Sequence, residues 1–329
     1  MRRALVLSSG GAKASWQVGA CEHLIVERRY WFDVITGVSA GAVNGATLAQ
    51  AHDPKELESE LAHLRSVWLG IRDPDVYRRR WRGALGVALG RRPSLYDTSP
   101  LRRVLETHID PLRVATSPVR LRVGYVDLLS GQYRTAGNDH PALRDVVLAS
   151  CSLPLLFPPT PLANGQELGV DGAIGTSTPL FDALTALAEL PPSGDEPDEV
   201  WVVVTPPRGR FPEPPARSRP AMALRSLSRL IDGLVDGLID GVLARGIKQA
   251  AGTGVLARPV NVRVLHPREE LRGVSLRFHP ERSQAWYEDG LRTAREVSAQ
   301  PETRSVEVRT RSSRRRRSVG VVRSLSSPV

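Results

Sequence analysis

Lysine is nearly missing from this chain: Lys13, Lys55 and Lys248 are the only three among 45 basic residues. We read the bias as the mark of a GC-rich genome, without functional meaning. Cysteine is equally scarce. Cys21 and Cys151 allow at most one disulfide, which a 329-residue chain with 41 % hydrophobic residues does not need for stability. Two buried thiols in a reducing, cytoplasmic setting are therefore expected. No stretch approaches the roughly 18 consecutive apolar residues of a spanning helix, which excludes a helical membrane crossing. Met1-Arg2-Arg3 followed by Ala4–Leu7 resembles the start of a signal peptide, but the apolar run stops at Ser8. That is short of an h-region of about 7–15 residues, so the run reads as a buried first strand.

Net charge is +10, and its location matters more than its size. Residues 301–329 hold eight Arg against two Glu, or +6, leaving +4 for the rest. With few apolar residues, this Arg/Ser-rich tail cannot offset its ordering entropy and is expected to be disordered. The expected organisation is one folded domain over 1–300 followed by that tail. No aromatic residue interleaves the tail charges, so base stacking has no support and nucleic acid is not the expected partner.

Short apolar runs alternate with helical patterns, the sequence form of parallel strands joined by crossover helices. The expected strands are Ala4–Ser8, Phe32–Thr36, Val119–Asp127 with Gln132–Thr135 as a hairpin partner, Glu167–Val170, Val200–Thr205 and Val260–His266. Helices are expected over 14–28, 41–51, 54–69, 99–108, 141–151, 179–189, 221–250 and 282–299. Val200–Val204 is apolar throughout, as a central strand covered on both faces must be. The fold class is therefore α/β, a three-layer α/β/α sandwich around a mostly parallel sheet. Between 206 and 220 the chain is rich in Pro and Arg and reads as a surface loop. A repeat of Asp-Gly every four residues over 231–242 reads as close helix packing, in preference to an Asp-based metal site.

The strongest chemical signal is Thr36-Gly37-Val38-Ser39-Ala40-Gly41-Ala42, in which a strand runs straight into a helical pattern. In Gly-x-Ser-x-Gly the serine sits on a sharp strand-to-helix turn, with small neighbours because the backbone is strained and closely packed. The bland alternative is Ser39 as an ordinary helix N-cap. A second glycine-rich turn, Ser8-Ser9-Gly10-Gly11-Ala12-Lys13-Ala14, follows the first strand. It matches neither a dinucleotide fingerprint nor a phosphate loop. Consecutive strands are usually neighbours, which places this turn beside Ser39 as an oxyanion hole.

A serine nucleophile needs a base. Chain order formally allows Ser39, Asp171 and His266 or His279, as in α/β-hydrolases. That fold requires several strands before its nucleophile, and here Ser39 follows only the second. Asp171, in Glu167-Leu168-Gly169-Val170-Asp171-Gly172-Ala173, is the better base, with Gly172 allowing close backbone approach. Its bland alternative is a turn aspartate.

These segments together resemble the patatin-like phospholipase family, bacterial members in particular. Leu7–Lys13 is similar to its glycine-rich oxyanion motif, Gly37–Ala42 to its nucleophile motif, and Val170–Ala173 to its Asp-Gly-[Gly/Ala] motif. Ala149–Pro159 is similar to its Ser/Ala-x-x-x-Pro-x-x-Phe-x-Pro segment. The resemblance spans about residues 4–190 and adds little beyond Thr205. It implies a three-layer fold, a Ser39–Asp171 dyad without His, backbone N–H donors at Gly10, Gly11 and Ala12, and no metal or other cofactor. The implied activity is hydrolysis of phospholipid or other acyl-ester substrates, as a phospholipase A or esterase. Ser9 and Ala14 stand where the family carries glycine, and Gly175–Pro179 replaces its Asn-x-Pro. Two other readings stay open, a catalytically silent lipid- or RNA-binding protein on the same scaffold and an acyltransferase.

Tyr77–Arg82, the small apolar run 83–90 and Arg91-Arg92 place cations and aromatics around a greasy segment. This is a candidate for peripheral contact with an anionic membrane surface, against the alternative of a solvated helix pair packed on the body.

Overall fold

The computed structural model describes residues 1–79, 91, 93–191, 193–194, 196–206, 260–299 and 306–308. The helix expected over 221–250 with its Asp-Gly repeat, the 206–220 loop apart from Pro206, and most of the 77–92 patch lie outside these residues. So does the expected disordered tail, apart from Val306–Val308, which forms an edge strand.

The strands of the main sheet are β1 (Arg3–Leu7), β2 (Val34–Val38), β3 (Arg120–Asp127), β4 (Gln132–Ala136), β5 (Thr160–Leu162), β6 (Glu167–Asp171), β7 (Asp198–Val203), β8 (Val260–Leu265) and β9 (Val306–Val308). They make one sheet in the order β9-β8-β7-β1-β2-β3-β6-β5, with β4 paired to β3. The run from β8 to β3 is parallel, and the remaining pairings are antiparallel. All six residues of β7 are buried between β1 and β8, which is why its sequence shows no polar alternation.

The principal helices are α1 (Ser15–Glu22), α2 (Ala40–Leu48), α3 (Pro54–Gly70), α4 (Ser99–His108), α5 (Leu143–Ser150), α6 (Leu180–Ala188) and α7 (Pro280–Ala299). Side-chain alternation along the strands separates two cores. Leu5, Leu7, Ile35, Trp201 and Val203 pack with α1, α2, α3 and α7, while Ala4, Val6, Val34, Val200 and Val202 pack with α6. Three layers result, as the patterning predicts.

Helix α7 comes from the far end of the chain and packs across α1. The crossing requires glycine on both sides: a Cβ on Gly19 would lie 1.9 Å from the Tyr287 carbonyl oxygen, and one on Gly290 would lie 2.0 Å from that of Trp16. The Trp16 indole N–H donates to Asp289 Oδ2 at 2.8 Å, fixing the register of the pair.

One feature of β3 positions everything that follows. Residues 123–127 pair with β4, so both β2 and β6 must use the opposite edge of β3. Strand β2 runs parallel along the first half and ends with Val38 opposite Gly124. Strand β6 runs antiparallel along the second half and ends with Asp171 opposite Tyr125. The two strands therefore meet head to head, and the residues at their tips, Ser39 and Asp171, are brought together.

Candidate active site

Ser39 Oγ donates to Asp171 Oδ2 at 2.8 Å. Ser39 is the residue before α2, yet its side chain makes no capping bond, which removes the N-cap reading. Its backbone angles, φ 57° and ψ −128°, lie where non-glycine residues are strained by on the order of 1–3 kcal/mol. The turn can close only because its flanks are small: a Cβ on Gly37 would sit 2.2 Å from the Gly41 carbonyl oxygen, and one on Gly41 would sit 2.4 Å from those of Leu7 and Ser8.

Asp171 is 1 % exposed and divides its carboxylate between two tasks. Oδ1 accepts the Ala173 N–H at 2.9 Å, as in an ordinary turn, and Oδ2 faces the serine. Burial pushes the carboxyl up to about 7, against the opposing pull of the bonds from Ala173 and Ser39. A carboxyl titrating there is matched to general-base work near neutral pH. Gly172 permits the approach of β6 to β3, since a Cβ there would meet the Gly124 carbonyl oxygen at 2.4 Å.

The C-terminal end of α5 and the residues just beyond it clamp both residues, a role that sequence reasoning did not assign. Ser150 Oγ accepts the Ser39 N–H at 2.8 Å and donates to the Gly124 carbonyl at 2.6 Å. Two residues on, the Ser152 carbonyl accepts the Asp171 N–H at 2.9 Å. The available signal was the small, hydroxyl-rich run Ala149–Ser152 before Pro154, which alone is too common to name a clamp.

Leu7 at the end of β1 is in register with Gly37 of β2, so the glycine-rich turn lies beside Ser39. Among the described residues, no acceptor engages the N–H of Gly10 or Gly11. Ala12 differs from the expectation: its N–H donates to the Ser275 carbonyl at 2.6 Å and is not available to an oxyanion. Gly11 has φ +54°, and a Cβ there would lie 2.2 Å from that same carbonyl oxygen. Beneath the turn runs a buried polar chain. Trp68 donates to Asn44 Oδ1 at 2.7 Å, Asn44 to Gln17 Oε1 at 3.0 Å, and Gln17 to the Ser8 carbonyl at 2.7 Å.

Ser39, Asp171, Gly10 and Gly11 line a cavity of about 1000 Å³, including the open solvent at its opening. Its walls are apolar, with Val43 of α2, Leu64, Val67 and Trp68 of α3, and Leu101 and Leu105 of α4. Ser275, Leu276 and Phe278 complete it from beyond Thr205, where the sequence offered no motif. This strap is tied down by Asp73, whose carboxylate accepts the Phe278 N–H at 2.6 Å and an Arg277 N–H at 3.0 Å, and by Tyr77, whose hydroxyl donates to the Leu276 carbonyl at 2.7 Å.

His266 and His279 do not line the cavity, whereas His63 and His108 do. Cys151 also lines it, and burial together with the Asp171 charge pushes its thiol well up, so it stays protonated. Both cysteines are free, and burial pushes Cys21 up to about 12. Among the described residues, no helix is long and apolar enough to cross a membrane.

The family model for patatin-like phospholipases matches residues 5–184, more than half of the chain, and the chain belongs to that family. A curated relative, the cGAMP-activated phospholipase of Escherichia coli (strain TW11681), is 25 % identical over 203 residues. The match covers 55 % of this chain and 54 % of the relative, so it spans about half the length of that protein. Among solved structures, VipD from Legionella pneumophila aligns over 90 % of this chain and 66 % of its own, with 13 % identity and a TM-score of 0.41. The type III effector ExoU, whose complex with SpcU comes from Pseudomonas aeruginosa, aligns over 89 % and 51 % with 12 % identity and a TM-score of 0.39.

Proposed function

We propose that this chain is a serine acyl hydrolase acting on phospholipids or related acyl esters, by an acyl-enzyme route through a Ser39–Asp171 dyad. The observation that carries the reading is the 2.8 Å bond from Ser39 Oγ to a buried carboxylate in the lining of an apolar cavity. Asp171 Oδ2 takes the Ser39 proton as Oγ attacks the ester carbonyl carbon. The carbonyl oxygen gains the negative charge and is held by the N–H groups of Gly10 and Gly11, next to the N-terminus of α2. Collapse breaks the ester C–O bond, and the departing alkoxide takes the proton from Asp171. A water molecule then gives a proton to Asp171 and attacks the acyl carbon; the acyl C–Oγ bond breaks, Asp171 returns that proton to Ser39 Oγ, and the fatty acid is released.

The apolar walls support this substrate class, since an acyl chain gains about 0.8 kcal/mol for each CH₂ taken from water into such a lining. Labelling with a fluorophosphonate tests the reading. A probe adduct on Ser39, lost in Ser39→Ala, supports it. A folded wild-type chain that takes no label and hydrolyses no ester identifies a binding scaffold instead.

A further inference from the structure

Polar side chains line the cavity in two groups, and the proposed chemistry uses only one. Ser39, Asp171 and the glycine turn form the first group. His63 and His108 form the other, with Nε2 of His63 2.9 Å from Nδ1 of His108 and ring centroids 4.9 Å apart. Helix α2 is the ruler between them. Its lining residues Ala40, Val43 and Thr47 descend from the nucleophile, and the Gln50 side chain just past its C-terminus donates to the His108 carbonyl at 3.1 Å. Thr47 spends its hydroxyl on the Val43 carbonyl of its own helix, at 2.9 Å, which leaves the imidazoles as the polar groups in this part of the lining. His63 is exposed and His108 half-buried, so the pair stands where the apolar lining meets solvent.

We infer that the hydrogen-bonded His63–His108 pair is the end wall of the acyl site and sets the longest acyl chain this chain accepts without rearrangement. The inference rests on the acyl-hydrolase reading for its substrate. Eight residues separate Ser39 from Thr47, a rise of about 12 Å at 1.5 Å per residue. An extended hydrocarbon of C–C bonds near 1.5 Å advances roughly 1.3 Å per bond, so about nine or ten carbons fill that length. A decanoyl chain ends at the wall. A hexadecanoyl chain must part the two rings and expose their lost N–H···N bond and its own terminus to water. Selectivity should thus climb by about fourfold for each added methylene up to the wall, the equivalent of about 0.8 kcal/mol per CH₂, and then stop or fall.

Two measurements test this. The first is kcat/KM for p-nitrophenyl esters from butyrate to hexadecanoate with wild type, His63→Ala and His108→Ala, read as the hexadecanoate-to-decanoate ratio within each protein. The second is calorimetric binding of decanoic and hexadecanoic acids to Ser39→Ala with and without His63→Ala, a readout independent of turnover. We expect wild type to favour decanoate, either substitution to raise the hydrolysis ratio at least tenfold, and His63→Ala to raise the binding ratio by as much. An unchanged ratio in folded variants, or a wild type whose preference keeps rising to hexadecanoate, overturns the inference. If no ester is hydrolysed but the binding ratio still shifts with His63→Ala, the wall stands and the hydrolase reading fails. If binding shows no length dependence, the wall fails whatever the hydrolysis.

Discussion

Residues 7–41 and residues 275–278 line the same cavity, but they serve it differently. The first region supplies reactive groups through backbone that only certain residues tolerate: Gly11 at φ +54°, Ser39 at φ 57°, and Gly37 and Gly41 where any side chain would collide with a carbonyl. The second supplies a main-chain carbonyl, from Ser275, and two apolar side chains, from Leu276 and Phe278. Any residue has a carbonyl and many are apolar. A site built from steric demands leaves a readable motif, whereas a wall built from generic groups leaves none.

The sharpest way to break this comparison is to remove the reactive atoms. Ser39→Ala and Asp171→Asn should each lower kcat by about 10⁴-fold or more, as loss of a nucleophile or its base does in other serine hydrolases, while His266→Ala and His279→Ala keep most activity. A histidine variant as inactive as Ser39→Ala, with normal thermal stability, would overturn the choice of base. The proposed route uses deprotonated Asp171 as its base, and on that route wild-type kcat/KM should rise with pH through an apparent pKa near 7. The stability effect has the opposite direction. The raised carboxyl binds its proton more tightly folded than unfolded, so it costs nothing below pH about 4, costs progressively more between about 4 and 7, and carries its full cost above 7. Asp171→Asn should therefore gain stability relative to wild type as pH rises from 4 to 8, by on the order of a few kcal/mol. Equal melting differences at both pH values would sink that linkage.

Much of the fold and the reactive centre was legible for the reason just given. The all-apolar Val200–Val204 required a central strand, and Gly-x-Ser-x-Gly after a strand required an elbow. Two things were not legible. Head-to-head meeting of β2 and β6 depends on β3 dividing one edge between a parallel and an antiparallel partner, which is a property of pairing and leaves no mark in either strand. The Ala12–Ser275 bond joins residues 263 positions apart through backbone atoms alone, so nothing in either side chain announces it. Ala12 looked like a third oxyanion donor for that reason.

A second, smaller effect belongs to the glycine turn. Gly11→Val meets both a left-handed backbone and the Ser275 carbonyl, and Gly10→Val would press on the Thr205 side chain, 2.6 Å from the new Cβ. Each should displace a donor and lower kcat by ~10²–10³-fold with KM less affected. Normal turnover in both would place the oxyanion elsewhere. The strap gives the contrasting case. Asp73→Ala removes the acceptor for Phe278 and Arg277, and should reduce kcat/KM by less than about tenfold while lowering stability by about 1–2 kcal/mol. A loss as deep as that of Gly11→Val would mean that residues 275–278 take part in the chemistry and do more than enclose it.

The smallest expected effect is at Ser9, one of the two positions in the glycine-rich turn where the resemblance to the family expects glycine. Its carbonyl is well used, accepting from Ser8 Oγ at 2.8 Å and Thr205 Oγ1 at 2.9 Å, and both bonds survive any side-chain change. Its hydroxyl is buried with no hydrogen-bond partner among the described residues, a state that costs about 1–3 kcal/mol. Ser9→Gly removes that cost and adds the backbone entropy of glycine, about 0.5–1 kcal/mol in regular structure, so the two effects nearly cancel with a slight gain. Turnover should stay within about threefold of wild type, since the donors at Gly10 and Gly11 are untouched and 1.4 kcal/mol would be needed for a tenfold change. A melting scan and a kcat measurement on Ser9→Gly decide the matter. A hundredfold loss would show that the Ser9 hydroxyl reaches the reaction, and that this departure from glycine adds a functional group to the site.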